Sequence, residues 1–444
     1  MKHYIVHHQT RIRKVGARNF LIRCDYNYTK KEVFEITDDA VRIISFLEET
    51  RTEKEILDAF ATEKLPEEAI LYLLEYLCEN GYIECWEKKN TQFFSDIVKA
   101  DFIPNQRFCS CTFEITPQCN FRCVHCYLGQ HRELQQKLST EDVKKIIDKL
   151  YDNGLLEIFL SGGEPLLRQD FKEIYLYAKK KGIQIELFTN GYLITDDIIS
   201  MFKEYPPLEL DISLYGASDE TYKKITGVDK AFTKIISNIK KCLKNGITVS
   251  IKTPVFSLLK DDLQAIKDLS EELDIPYRNA FEMKPTVDDQ DAPYQYQLAP
   301  KEAAMLKKKY STTYLADLQT LKSNIKNPQA PAKGKRYLCS TGKCSGFIDY
   351  EGKMAPCSEL RHRGISLLEH TFQEVWDHVS KISFERLRDL ESDYKCMSCK
   401  LLVICKSCPA LRERMNGSAA VVTERDCAFA EELYNVMKGD MENE

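Results

Sequence analysis

Thr112-Phe-Glu-Ile-Thr-Pro-Gln-Cys119-Asn-Phe-Arg-Cys123-Val-His-Cys126 decides how the rest of the chain is read. Its first four residues form a short, strand-like segment, and three cysteines follow directly after it. An iron-sulfur cluster usually takes four thiolates, so a cluster held by three would leave one iron open to an outside ligand. A zinc ion completed by His125 is the alternative that the same residues allow.

Outward from this stretch, residues 111–285 alternate short apolar runs with amphipathic helical patterns. Strands are predicted at 112–115, 157–160, 184–188, 209–214, 248–253 and 279–283. Between the first two, Ser139 caps a helix whose Val143, Ile146, Ile147 and Leu150 face inward, and Gly154 ends it. Six such units predict an α/β fold, a partial (β/α)6 TIM-like barrel, and put the cysteines at the strand ends where such folds bind ligands. Ser161-Gly162-Gly163-Glu164-Pro165 follows the second strand. Its glycines let a ligand approach the backbone, and Glu164 would accept hydrogen bonds from an ammonium group. Asn190, Ser213 and Lys252, on or after the third, fourth and fifth strands, are candidates to touch hydroxyl or carboxylate groups. Each also reads as a polar residue satisfying a strand end, and Asn190-Gly191 as a turn.

The chain has 444 residues, long enough for two or three domains, and 63 Lys and Arg against 68 Asp and Glu give it a net charge of -5. That balance gives no electrostatic reason to expect a nucleic-acid partner. The longest apolar runs, such as Ile70 to Leu74, fall far short of a membrane span, so no membrane partner and a cytoplasmic location are expected. In a reducing cytoplasm, 17 cysteines argue for metal binding over disulfides. Eight of them fall late in the chain, as Cys339, Cys344 and Cys357, then Cys396, Cys399, Cys405 and Cys408, and finally Cys427. Eight thiolates suit two four-cysteine clusters, and a zinc ribbon built from the two CxxC pairs is the alternative. Cys24, Cys78, Cys85, Cys109, Cys111 and Cys242 read as small buried hydrophobes.

Residues 1–90 predict a separate winged-helix-like α+β unit. Strands at 20–24 and 33–36 precede a helix capped by Thr37, a second with a Thr52/Glu55 capping box, and a third opened by Pro66 and stopped by Gly81. Residues 91–110 read as a linker, 286–338 as a connector with a helix near 301–310, 339–430 as a cysteine-rich, loop-rich domain, and 431–444 as a tail.

The three-cysteine motif and the Gly-Gly-Glu turn resemble those of the radical S-adenosylmethionine enzymes over residues 111–285. The resemblance implies a 4Fe-4S cluster on Cys119, Cys123 and Cys126 that cleaves S-adenosylmethionine to a 5'-deoxyadenosyl radical. It further implies His125 near the adenine, Gly162, Gly163 and Glu164 at the methionine amino group, and an external one-electron donor such as flavodoxin or ferredoxin. Residues 339–430 resemble the SPASM extension of radical enzymes that modify peptides. Carried over by order, Cys339, Cys344, Cys357 and Cys408 would hold one auxiliary 4Fe-4S cluster and Cys396, Cys399, Cys405 and Cys427 another, although the spacing from Cys405 to Cys408 is one residue shorter than is common. The N-terminal unit resembles the PqqD-like domain that grips a leader peptide beside its third strand, here residues 32–36. Arg11, Arg13, Lys14, Arg18 and Arg23 would attract an acidic leader or simply form a solvated strand face. Together the resemblances imply an oxidoreductase that matures a ribosomally made precursor peptide, with a thioether from cysteine sulfur to carbon as the preferred product. Carbon-carbon cross-linking, epimerisation and sulfatase-type maturation are the alternatives within this chemistry. An electron carrier or zinc adaptor is the alternative outside it.

Overall fold

The computed structural model describes residues 2–6, 10–15, 18–24, 31–47, 51–61, 65–80, 82–86, 108–326, 341–389, 396, 399–405 and 407–442. The chain divides into two compact units, residues 1–107 with 152–156, and residues 108–151 with 157–444.

In the first unit β1 (His3–Val6) pairs antiparallel with β5 (Arg51–Thr52) and β6 (Ile83–Trp86), while β2 (Thr10–Val15), β3 (Arg18–Cys24) and β4 (Lys31–Ile36) make a second antiparallel sheet with β4 at one edge. Helices α1 (Asp38–Phe46), α2 (Glu53–Phe60) and α3 (Glu67–Glu79) start where the sequence says they should. Thr37 accepts from the Ala40 backbone N–H, Thr52 and Glu55 complete the capping box, and Pro66 precedes α3. Their apolar faces close over Tyr4 and Leu21 to form one core with Ile43, Ile56, Leu74 and Tyr82. Cys78 and Cys85, expected as separate buried thiols, are joined as a disulfide, because β6 returns the chain alongside the end of α3. Gly81 lies outside the described residues.

The second unit is built on β7 (Ser110–Glu114), β8 (Glu157–Ser161), β9 (Gln184–Thr189), β10 (Glu209–Ser213), β11 (Val249–Pro254) and β12 (Tyr277–Ala280), six parallel strands in sequence order. Helices α4 (Thr140–Asp152), α5 (Phe171–Lys180), α6 (Asp196–Glu204), α7 (Asp219–Thr226), α8 (Ala231–Lys244) and α9 (Leu263–Glu272) lie in the crossovers. The α4 residues Val143, Ile146, Ile147 and Leu150 are fully buried, as their spacing requires. The last strand begins and ends earlier than 279–283 because its partner β11 finishes at Pro254, whose register mate is Ala280.

Two differences follow from contacts far apart in sequence. The sheet does not stop at six strands: β13 (Ser345–Ile348) pairs parallel to β7, and β14 (Lys353–Ala355) and β15 (Ile365–Ser366) continue it to nine. The segment expected to be loop-rich also carries α12 (Phe372–Asp389), α13 (Pro409–Asn416) and α14 (Glu424–Glu442). Before them, α10 (Pro300–Tyr310) and α11 (Tyr314–Lys326) share a core with α14 through Ala304, Leu318, Leu321, Leu433 and Met437. The expected tail therefore begins inside a packed helix. No helix among the described residues is long and apolar enough to cross a membrane.

Candidate active site

The loop after β7 is held from both sides. Phe121 is buried against Tyr192, and the backbone N–H groups of Arg122 and Val124 donate to the carbonyls of Thr226 and Ile225 at the end of α7. This fixed loop brings Cys119, Cys123 and Cys126 to the wall of one cavity of about 250 Å³ at the carboxyl ends of the strands. His125, Gly162, Gly163, Asn190, Ser213 and Lys252 line the same cavity, and with Ala280 all six parallel strands contribute to it through their carboxyl ends or the loops that follow.

Burial pushes the Cys119 thiol up to about 12 and raises Cys123 well above its ordinary value, with Cys126 and Cys119 adding to the latter. Such thiols stay protonated unless a cation stabilises the thiolate. The His125 ring packs edge-on to Tyr215 at 4.8 Å and against Phe256 at 4.7 Å. Burial lowers its pKa to about 4, and its Nδ1 is buried without a hydrogen-bond partner among the described residues. At neutral pH it is an uncharged, flat wall with one polar atom to offer.

The glycines are steric necessities. A Cβ on Gly162, at φ +145°, would lie 2.3 Å from the Thr116 carbonyl oxygen, and one on Gly163 would lie 2.2 Å from that of Gln118. Glu164, expected to receive an ammonium group, is placed otherwise. It is not part of the cavity lining, and its buried carboxylate accepts from the N–H groups of Leu166 (3.0 Å) and Asn190 (2.7 Å) and the Thr189 hydroxyl (2.8 Å). The β8 and β9 loops are thereby tied together. Asn190 in turn donates through Nδ2 to Asn120 Oδ1 at 2.8 Å, and the Lys252 ammonium sits 5.0 Å over the Phe188 ring.

Three features of the barrel interior had no sequence signal. Asp211 reaches the cavity and is bonded to Arg278 at 2.9 Å, which also meets Glu209 at 3.1 Å. Tyr215 forms cavity wall beside His125. Glu114 accepts from Tyr127 at 2.6 Å and pairs with both terminal nitrogens of Arg361 at 3.1 and 3.2 Å, a bidentate contact across 247 residues of sequence.

Burial raises the Glu209 pKa to about 8, against the lowering effect of the Ser250 hydroxyl and Arg278. The folded chain thus holds a proton that the unfolded chain, with an ordinary carboxyl near 4.5, has lost. Stability is expected to fall as pH rises through that window. Glu209→Gln should remove a slope of up to about 1.4 kcal/mol per pH unit, measured by denaturant unfolding near pH 5 and near pH 8; an unchanged slope would refute the assignment.

Among the late cysteines, Cys357 and Cys408 share a small apolar cluster with Leu360, Ile382 and Ala410. Burial raises the Cys405 thiol, and Cys396, Cys427 and Cys399 lie close enough to raise it further. Cys339 lies outside the described residues, and Cys344 sits against the start of β7, its carbonyl accepting from Cys109 N–H at 2.8 Å. Among the described residues, no three His, Cys, Asp or Glu side chains are closed around a metal position. The fit to an iron-sulfur cluster rests instead on the donor set: three thiols on one wall of the cavity and an uncharged His125 with an unpartnered Nδ1.

Residues 113–272, which include the cysteine loop, match the Radical SAM superfamily. The AdoMet-dependent heme synthase of Methanosarcina barkeri is 29% identical to this chain over 318 residues, covering 67% of this chain and 90% of its own. The antilisterial bacteriocin subtilosin biosynthesis protein AlbA of Bacillus subtilis is 32% identical over 163 residues, 36% of each chain. Streptococcus suis SuiB bound to its precursor peptide SuiA shares the fold with a TM-score of 0.60 at 15% identity, over 96% of this chain and 99% of that one.

Proposed function

We propose that this chain is a peptide maturase that forms a thioether between a cysteine sulfur and a carbon of a ribosomally made precursor peptide. The observation that carries the reading is the extent of the likeness to SuiB. The fold match to a peptide-bound enzyme takes in 96% of the chain, N-terminal unit included, whereas the heme synthase alignment covers 67%. The similarity to a bacteriocin biosynthesis protein supports the same substrate class.

On this reading Cys119, Cys123 and Cys126 hold a 4Fe-4S cluster, and the cavity takes S-adenosylmethionine. When bound, the pair supplies a radical that abstracts hydrogen from an unactivated carbon. His125 and Tyr215 would flank the adenine, Gly162 and Gly163 would admit the methionine moiety, and Asn190, Ser213 and Lys252 would meet the ribose and carboxylate. Glu164 acts one step back by holding Asn190 in place. Cys339, Cys344, Cys357 and Cys408 would bind one auxiliary cluster, and Cys396, Cys399, Cys405 and Cys427 the other. Residues 1–90 form the leader-binding domain, for which β4 offers a sheet edge to which an extended peptide can add.

A second reading is favoured by the heme synthase alignment, which spans 90% of that relative: a tetrapyrrole substrate in place of a peptide. The two separate in one assay. The reduced enzyme, S-adenosylmethionine and a cysteine-containing peptide encoded beside it should give a product lighter by two hydrogens per cross-link, with cysteines that no longer react with iodoacetamide. Loss of hydrogens with the thiols still alkylatable would mean carbon-carbon linkage. An unchanged peptide, with turnover of an iron porphyrin instead, would overturn the maturase reading.

A further inference from the structure

Among the described residues, one carboxylate lines the inner cavity, that of Asp211. Strand alternation puts Glu209, Asp211 and Ser213 on one face of β10, with Ser213 at the strand's carboxyl end and Asp211 roughly 7 Å deeper. Asp211 therefore stands one rung below the contacts assigned to the cofactor. Its side chain is 3% exposed, and Arg278 donates to Oδ2 at 2.9 Å, while Oδ1 is closed off from water and has no hydrogen-bond partner among the described residues. A buried carboxylate oxygen without a donor calls for one from whatever fills the cavity. The charged groups that face Asp211 are Glu186 from β9, Glu209 on its own strand, Lys252 from β11 and Arg278 from β12, and His125, Tyr127 and Tyr215 share the cavity wall with it. Outside the three cysteines assigned to the cluster, no other cavity group can take a proton from a thiol at neutral pH. Lys252 is a cation, burial keeps both phenols protonated, and His125, lowered by burial to about 4, is too weak a base. Burial raises the Asp211 carboxyl, against the lowering effect of Lys252 and Arg278, and so brings it closer to a thiol's ordinary value of about 8.5.

We propose that Asp211 is the general base that takes the proton from the substrate cysteine before its sulfur bonds to carbon. The inference rests on the thioether reading. In this step the S–H bond breaks, an O–H bond forms on Asp211, and the electron pair stays on sulfur; nothing is oxidised or reduced. Arg278 is a positioning residue, which holds Oδ2 and leaves Oδ1 to the substrate.

The test gives the cluster-loaded full chain a cysteine-containing peptide encoded beside it, and counts by mass spectrometry the cross-links formed per 5'-deoxyadenosine released. At pH 7 Asp211→Asn should lower that ratio roughly thirtyfold, because only about 3% of a thiol with a pKa of about 8.5 is ionised there without a base. The loss should shrink about tenfold for each pH unit toward 8.5. A peptide with selenocysteine in place of cysteine, whose selenol ionises unaided at neutral pH, should be cross-linked equally by both chains. A loss that neither alkali nor the selenol repairs would make Asp211 structural, and an unchanged ratio would give the proton to another group; either overturns the proposal. If Asp211→Asn loads no iron, the native chain decides alone. Acid should then slow the thiol peptide, as Asp211 is protonated, well before it slows the selenol peptide, and coincident acid limbs would overturn the base. A native chain that releases 5'-deoxyadenosine yet leaves the peptide thiols alkylatable would overturn the thioether reading, and the base with it.

Discussion

Gly163→Ala is expected to lower the stability of the barrel unit by about 3 kcal/mol or more, and to lose the iron proposed for the cysteine loop. The added Cβ would stand 2.2 Å from the Gln118 carbonyl oxygen and 2.4 Å from that of Pro117. Both obstacles are backbone, so no side-chain rotation relieves them. The segment that must move is also stitched in place, since Gly163 N–H donates to Thr116 at 2.8 Å and Glu164 N–H to Gln118 at 2.8 Å. Shifting it displaces Cys119, the next residue. Gly182→Ala is the control: there φ is +78° but nothing lies within 4 Å, so only backbone strain of about 1 kcal/mol is expected. Scanning calorimetry and iron analysis of the two variants separate the effects. Equal losses of stability, or unchanged iron in Gly163→Ala, would contradict the steric account.

Arg361→Met is expected to cost about 3–5 kcal/mol, because it strands the Glu114 carboxylate inside the protein. Glu114 and Arg361 expose 2% and 10% of their side chains. The Arg361 guanidinium also lies 5.0 Å from the Phe347 ring on β13, so the residue fastens the added strands to β7. The double variant Glu114→Gln/Arg361→Met should recover much of the loss, since no buried charge is left. By contrast Lys224→Met, which breaks an exposed pair with Glu220, should leave stability nearly unchanged. Denaturant unfolding of the three variants decides; a small effect at Arg361 would mean that water reaches Glu114.

The sequence carried the barrel plainly where physics is local. Val143, Ile146, Ile147 and Leu150 announce a buried helix face by spacing alone, and Thr52 with Glu55 announces a helix start. The cavity was legible because its residues fall at strand ends in chain order, from Cys119 to Lys252. What stayed hidden depends on contacts without period or proximity. The pairing of β13 with β7 joins residues more than two hundred apart, and Ser345 to Ile348 alone are too few to announce a strand. Asp211, Glu209 and Arg278 read individually as polar residues on strands, and only the parallel register of β10, β11 and β12 brings them together. Glu164 was assigned by its motif to a ligand, but the Thr189 hydroxyl and the Asn190 N–H hold its carboxylate.

The central claim is that Cys119, Cys123 and Cys126 hold an iron-sulfur cluster, and metal analysis after anaerobic purification tests it most directly. The native chain should bind about twelve irons, and the chain with all three cysteines replaced by Ala about eight. A native chain with no iron, or one whose iron is unchanged by the triple substitution, would contradict it.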